Sequence, residues 1–160
     1  MATRSGIGIM NPNTGSIKAI YCHWDGYLEH NGSLLNKHYS ASPKVNNLIA
    51  LGDLSSLRAE IGEKHAFSQF DLPKDEVEAF KAATENMCTF YTRDRGEKCP
   101  YRVFNTRKEF VNGIDGEYFY LFVYDTDQQG GKWFYKNYKD TAWKNLATAL
   151  SKLDEKECAE

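Results

Sequence analysis

The sequence predicts an α+β fold, a mainly antiparallel sheet of about five strands with helices packed against it. Three features carry that reading. Residues 117–124 place Tyr118, Tyr120, Phe122 and Tyr124 on one side of a strand and Phe119, Leu121 and Val123 on the other, as a central strand covered on both faces requires. Two strand-like runs flank Asn11-Pro12-Asn13-Thr14-Gly15, a hairpin turn sequence. Several other stretches combine a capping residue with apolar residues three and four apart, which is helical spacing.

The elements follow in order. Ile7 and Ile9, alternating with Gly6, Gly8 and Met10, form the first strand, and residues 16–22 return antiparallel. The strand then runs into a tight turn at Gly26. Its period places Tyr21, His23 and Asp25 on one side and Cys22 and Trp24 on the other, with Trp24 expected in the core. Asn31 is positioned to cap a short helix carrying Leu34, Leu35, His38 and Tyr39. Ser42 and Pro43 open the next helix, Val45, Leu48 and Ile49 form its buried stripe, and Gly52 ends it. Asp53 reads as the cap of one more helical turn, with Leu54 and Leu57 inward.

Residues 58–71 read as a loop anchored by Phe67 and Phe70. Pro73 opens a helix reaching about residue 85, with Val77, Phe80 and Ala83 or Thr84 inward. Residues 88–93 alternate as a strand. Thr106-Arg107-Lys108-Glu109 is a capping box whose helix Gly113 can close. After the central strand, residues 132–138 form another, with Trp133 and Tyr135 on one face. Asp140 or Thr141 caps a final helix lined by Trp143, Leu146, Leu150 and Leu153.

Composition bounds the function. The chain has 160 residues, 41% hydrophobic and 26% charged, enough apolar side chain for one core. Residues 1–153 read as one domain and 154–160 as an acidic, frayed tail. Twenty Lys and Arg against 22 Asp and Glu give a formal charge of −2, so no global field draws the protein to nucleic acid or an anionic membrane. Ten Tyr, nine Phe and three Trp are a heavy aromatic load, and rings beyond those needed inside are enriched at interfaces, whether with another protein or a second copy of the chain. No window approaches the roughly 20 apolar residues of a membrane span, and the opening residues lack the apolar segment of a signal peptide. Cys22, Cys88, Cys99 and Cys158 form no Cys-x-x-Cys unit and read as reduced cytoplasmic thiols.

Two motifs, IYCHWDGY at residues 20–27 and IALGDLSSL at residues 49–57, stand out, and a third, TFYTRDRGE, lies at residues 89–97. With the opening hairpin, they resemble a family of small bacteriophage and prophage proteins over somewhat more than half the chain. The resemblance implies a phage accessory protein acting on a host component in the host cytoplasm. It brings no activity, cofactor or catalytic residue with it.

The candidate chemistry sits near the first motif. A carboxylate at Asp25 could fix the tautomer of His23 and raise the basicity of its free nitrogen, and Asp53 could join them across the fold. The competing reading has Asp25 capping the turn and His23 bonding locally. Gly6-x-Gly8 lacks the rest of any phosphate loop, and Asp125-x-Asp127 lacks the remaining calcium ligands. His30, His38 and His65 have no zinc spacing, so neither a metal nor a cofactor is expected.

The one local charge excess is at residues 91–108, where Arg93, Arg95, Lys98, Arg102, Arg107 and Lys108 interleave with Tyr91, Tyr101 and Phe104. Cations beside rings suit single-stranded nucleic acid or a nucleotide, and they suit an acidic protein too. The candidate binding residues are Arg93, Arg95, Arg102 and Tyr101, with Tyr27 of the turn. The leading expectation is therefore an interaction protein that binds a host macromolecule, a protein first, through an aromatic and polar surface. The alternative is a small enzyme or nucleotide- or nucleic-acid-binding protein using the His-Asp turn and the basic segment. No nucleophile elbow, kinase loop or zinc-protease motif is present.

Overall fold

Strand alternation in the first hairpin decides where the sheet grows. β1 (Ser5–Met10) and β2 (Ile17–Cys22) pair antiparallel, with Ile7 opposite Ile20 and Met10 opposite Ile17. Both are buried on both faces, so each needs a further neighbour. In the computed structural model, which describes residues 2–125 and 130–159, β1 takes β6 (Tyr118–Tyr124) as a parallel partner. β6 continues antiparallel into β7 (Gly131–Asn137), and β7 into the two-residue β8 (Lys144–Asn145).

On the other side, the outer edge of β2 is divided. β5 (Arg102–Phe104) pairs antiparallel with Ile17 to Ala19, whereas β3 (Leu54–Ser56) joins parallel at Cys22 and carries β4 (Thr89–Phe90) beyond it. The sheet thus has eight strands of mixed direction, not about five mainly antiparallel ones. β3, β5 and β8 are two or three residues long, too short to show a period of two, and the β1–β6 pairing brings together strands more than a hundred residues apart.

The two-faced character of β6 is realised. Tyr120 and Phe122 join Ile7, Ile9 and Ile20 in a core under α1 (Ser33–His38), α2 (Ser42–Ala50) and α6 (Leu146–Ala159). Phe119 and Leu121 join Ile17 and Ala19 under α5 (Arg107–Gly113), which supplies Phe110 and Ile114. Gly6 and Gly8 lie directly beneath the Phe110 ring, so their missing side chains admit α5 rather than a phosphate. The capping box forms: Thr106 Oγ1 accepts the Glu109 N–H at 3.1 Å, and the Glu109 carboxylate accepts the Asn105 N–H at 2.8 Å.

Other local expectations give way to tertiary contacts. Asn31 caps nothing. It is buried in a π-helical turn, Leu28–Gly32, where its amide donates to Ser5 Oγ at 3.2 Å and satisfies polar atoms under the sheet. Residues 54–57 are extended rather than helical, because Leu54 pairs with both Cys22 and Phe90. The strand at residues 88–93 stops at Phe90 and turns into α4 (Tyr91–Arg95), since the Asp94 carboxylate accepts the Phe90 N–H at 2.8 Å. The last helix starts at Leu146. Asn145 Oδ1 accepts the Thr148 N–H at 3.1 Å, whereas Asp140 accepts that of Asn137 and Trp143 packs against the second core. β2 ends at Cys22, so alternation does not carry Trp24 inside, and its ring is 45% exposed.

Candidate functional site

The divided edge of β2 leaves the Tyr21 N–H between its two partner strands. The Asp53 carboxylate fills the gap, accepting that N–H at 2.8 Å. Asp53 is held in turn by its own N–H, which donates to the Cys99 carbonyl at 2.9 Å, and by its carbonyl, which accepts the Tyr91 N–H at 3.2 Å. The chain reaches this point through Gly52 at φ +87°, where a β-carbon would collide with the Cys99 carbonyl. Burial raises the Asp53 carboxyl above the usual range, and the Tyr21 N–H and the Arg102 charge oppose that shift.

Tyr21 and His23 alternate onto the face that α5 covers farther along, but here the face stays half-exposed. The Tyr21 hydroxyl lies 2.7 Å from His23 Nδ1, and the His23 ring meets Trp24 edge-on with centroids 4.7 Å apart. Tyr91 lies near enough to act on the Tyr21 hydroxyl, and Arg95 lies over two rings, 4.4 Å from the Phe67 centroid and 4.9 Å from that of Tyr91. Those rings are 5.6 Å apart. Arg95 also pairs with Glu97, and Arg4, whose charge is felt at Tyr21, pairs with Asp115 at 2.9 Å.

The candidate residues are therefore only partly brought together. Neither Asp25 nor Asp53 hydrogen-bonds to His23 among the described residues, whose Nδ1 partner is Tyr21. Asp25 occupies the left-handed region at φ +56° and accepts the Asn31 N–H through its carbonyl, which makes it a turn residue. Tyr27 packs near His30, with ring centroids 6.0 Å apart, and Tyr101 lies under the Lys18 ammonium. Arg102 Nη1 donates to the Gly113 carbonyl at 3.1 Å.

Arg93 faces inward. Its guanidinium meets Asp94 at 3.0 Å and the carbonyls of Cys88 and Ile61 at 2.9 Å each, and it lies over the Phe90 ring. Asp94 also accepts the His65 N–H at 3.1 Å, so this cluster ties the loop before Phe67 to β4. Tyr21 and Phe67 belong to this face, although sequence reasoning named neither as a candidate binding residue and read Phe67 as a loop anchor. Tyr21 was legible from the same period of two that placed His23, while nothing local to Phe67 indicates that Arg95 and Tyr91 meet its ring.

Burial pushes the Cys22 thiol up to about 12 from 9.0, and the half-buried Tyr21 hydroxyl up to about 12 from 10.0. Both groups are neutral in the fold and ionise more readily when unfolded. Stability is thus full below about pH 9 and is lost as pH rises through about 12. Denaturant titrations across that window should show the midpoint falling, and Cys22 should resist thiol reagents near neutral pH until the protein unfolds. A midpoint flat to pH 12 would contradict this burial.

No three His, Cys, Asp or Glu side chains among the described residues are grouped to hold a metal, and Asp127 lies outside those residues. No helix among them is long and apolar enough to cross a membrane. Comparison with family models, with curated proteins and with solved structures finds nothing that matches this chain.

Proposed function

We propose that the half-exposed face at the divided edge of β2 binds single-stranded nucleic acid or a nucleotide. The observation that carries this is the Arg95 guanidinium over Phe67 and Tyr91, beside Tyr21, His23 and the exposed Trp24. Rings and a guanidinium offer bases stacking surface, worth about 1–3 kcal/mol per base and tolerant of sequence. The ion pairs Arg95–Glu97 and Arg4–Asp115 are exposed, and such pairs contribute about 0–1 kcal/mol, so a phosphate can displace the carboxylates.

The Tyr–His pair favours binding over acid/base chemistry. Burial pushes the Tyr21 hydroxyl up to about 12, and it meets no acceptor among the described residues other than His23 Nδ1. Donation to Nδ1 puts the imidazole proton on Nε2, which meets no partner among the described residues and so presents a donor to a phosphate or base oxygen. Anisotropy of labelled octathymidylate and octauridylate tests this reading. Tyr91→Ala should weaken binding by about 1–3 kcal/mol. Arg95→Gln should reduce the slope of log K against log salt by about 0.7, the value for one phosphate contact on a single strand. Absence of binding by the wild-type protein would reject the reading.

A host protein docking on the same face is the second reading, favoured by the exposed Trp24 ring. It would lead if Trp24→Ala abolished capture of one partner from infected cells while oligonucleotides failed to compete for it.

A further inference from the structure

On the far side of Phe67 an open cleft of about 380 Å³ lies between α3 (Val77–Thr84), the segment 67–69 and the β3–β4 edge. Its lining brings two cations and two aromatic rings together. Arg58 and Lys81 both line this cleft, and neither pairs with a carboxylate among the described residues. Arg58 Nη1 donates to the Leu57 carbonyl at 2.8 Å, and its other guanidinium N–H groups meet no partner among the described residues. Phe67 and Phe80 supply rings, and Ser56 and Thr89, opposite each other across the β3–β4 pair, supply hydroxyls. Glu85 is the one carboxylate in the lining.

We propose that this cleft is a second anchoring point for a single-stranded nucleic acid, with a base against Phe67 and Phe80 and a backbone phosphate between Arg58 and Lys81. The inference rests on the nucleic-acid reading of the neighbouring face, because Phe67 belongs to both: it stacks with Arg95 and Tyr91 on one side and lines the cleft on the other. Two cations against one carboxylate leave a single positive charge in the lining. A strand held on the neighbouring face presents its next phosphate to this charge at high effective concentration, whereas a mononucleotide must bind the cleft unaided. The cleft thus selects a continuous strand over a mononucleotide. It also places a locally basic site on a protein whose total charge is negative.

The test is amide NMR of the full chain titrated with octathymidylate, octauridylate and thymidine monophosphate, with salt-dependent affinities for the wild type, Lys81→Gln and Arg58→Gln/Lys81→Gln. An octamer should shift residues of the face, such as Tyr91 and Arg95, together with residues of the cleft, such as Ser68 and Thr84. Thymidine monophosphate should shift the cleft at least tenfold more weakly. The double variant should lower the salt slope by about 0.7, one single-strand phosphate contact, and Lys81→Gln alone, at an exposed helical position, by a smaller amount. Shifts on the face without shifts in the cleft, or an unchanged slope in both variants, would overturn the cleft proposal and leave the face reading intact. Shifts in the cleft alone, equally strong with thymidine monophosphate, would overturn the face reading and the continuous strand together. No shifts with either octamer would overturn both.

Discussion

Phe122→Ala is expected to destabilise the protein by about 3–5 kcal/mol, the cost of deleting a buried aromatic ring and leaving its cavity. Phe122 is 0% exposed and sits on the central strand of the sheet. Its ring lies 5.1 Å from that of Trp133 and against Gly131, where a β-carbon would strike it. Trp133 is itself fixed by its indole N–H, which donates to the Tyr39 carbonyl at 2.8 Å, so the neighbours are poorly able to collapse into the space. Denaturant titration measures the loss as a lower midpoint at unchanged slope. A cost below about 1 kcal/mol would show that this core is not packed as described.

Asp94→Ala is expected to cost a similar amount, about 3–5 kcal/mol, for a different reason. The Asp94 side chain is fully buried and accepts from Arg93 Nε, Phe90 N and His65 N at 2.8–3.1 Å. Its removal leaves the Arg93 guanidinium, only 12% exposed, without a carboxylate. It also frees the loop before Phe67. Near-ultraviolet circular dichroism should therefore change along with stability, and Asp94→Asn, which keeps an acceptor but loses the charge, should cost less. If Asp94→Ala proved near neutral, Arg93 could reach water, and the cluster would not be what holds this loop.

Legibility from sequence followed the range of the forces involved. β6 was legible because its apolar residues occupy both phases of a period of two, and the helix opened by Thr106 was legible because a capping box is complete within four residues. Gly52 was legible as a stop because a positive φ is a backbone requirement that one residue meets. Asp53 has a cap's side chain, but the N–H it accepts belongs to Tyr21, 32 residues away, and no local pattern encodes that choice. The division of labour between Arg93 and Arg95 was equally hidden. Two residues apart on one short helix, one turns into a buried carboxylate and the other onto exposed rings, and only the tertiary fold distinguishes them. In the candidate site, His23 was found as a polar residue at a strand end. Its partner turned out to be Tyr21, on the same face, because β2 ends before the expected alternation reaches Asp25.

The parallel pairing of β1 with β6 sets the order in which the chain can fold as it is made. β1 and β2 leave the ribosome before β6, the strand that covers the inner edge of β1 and ends at Tyr124. Until then the hairpin offers the unpaired backbone of Ser5–Met10, with Ile7 and Ile9 beside it, to any strand in reach. The Asp53 carboxylate blocks the opposite edge at Tyr21, but nothing comparable guards β1. Closing a loop of more than a hundred residues before the sheet is complete makes folding slow relative to a local hairpin, and lengthens the time for which the edge of β1 is open to other strands.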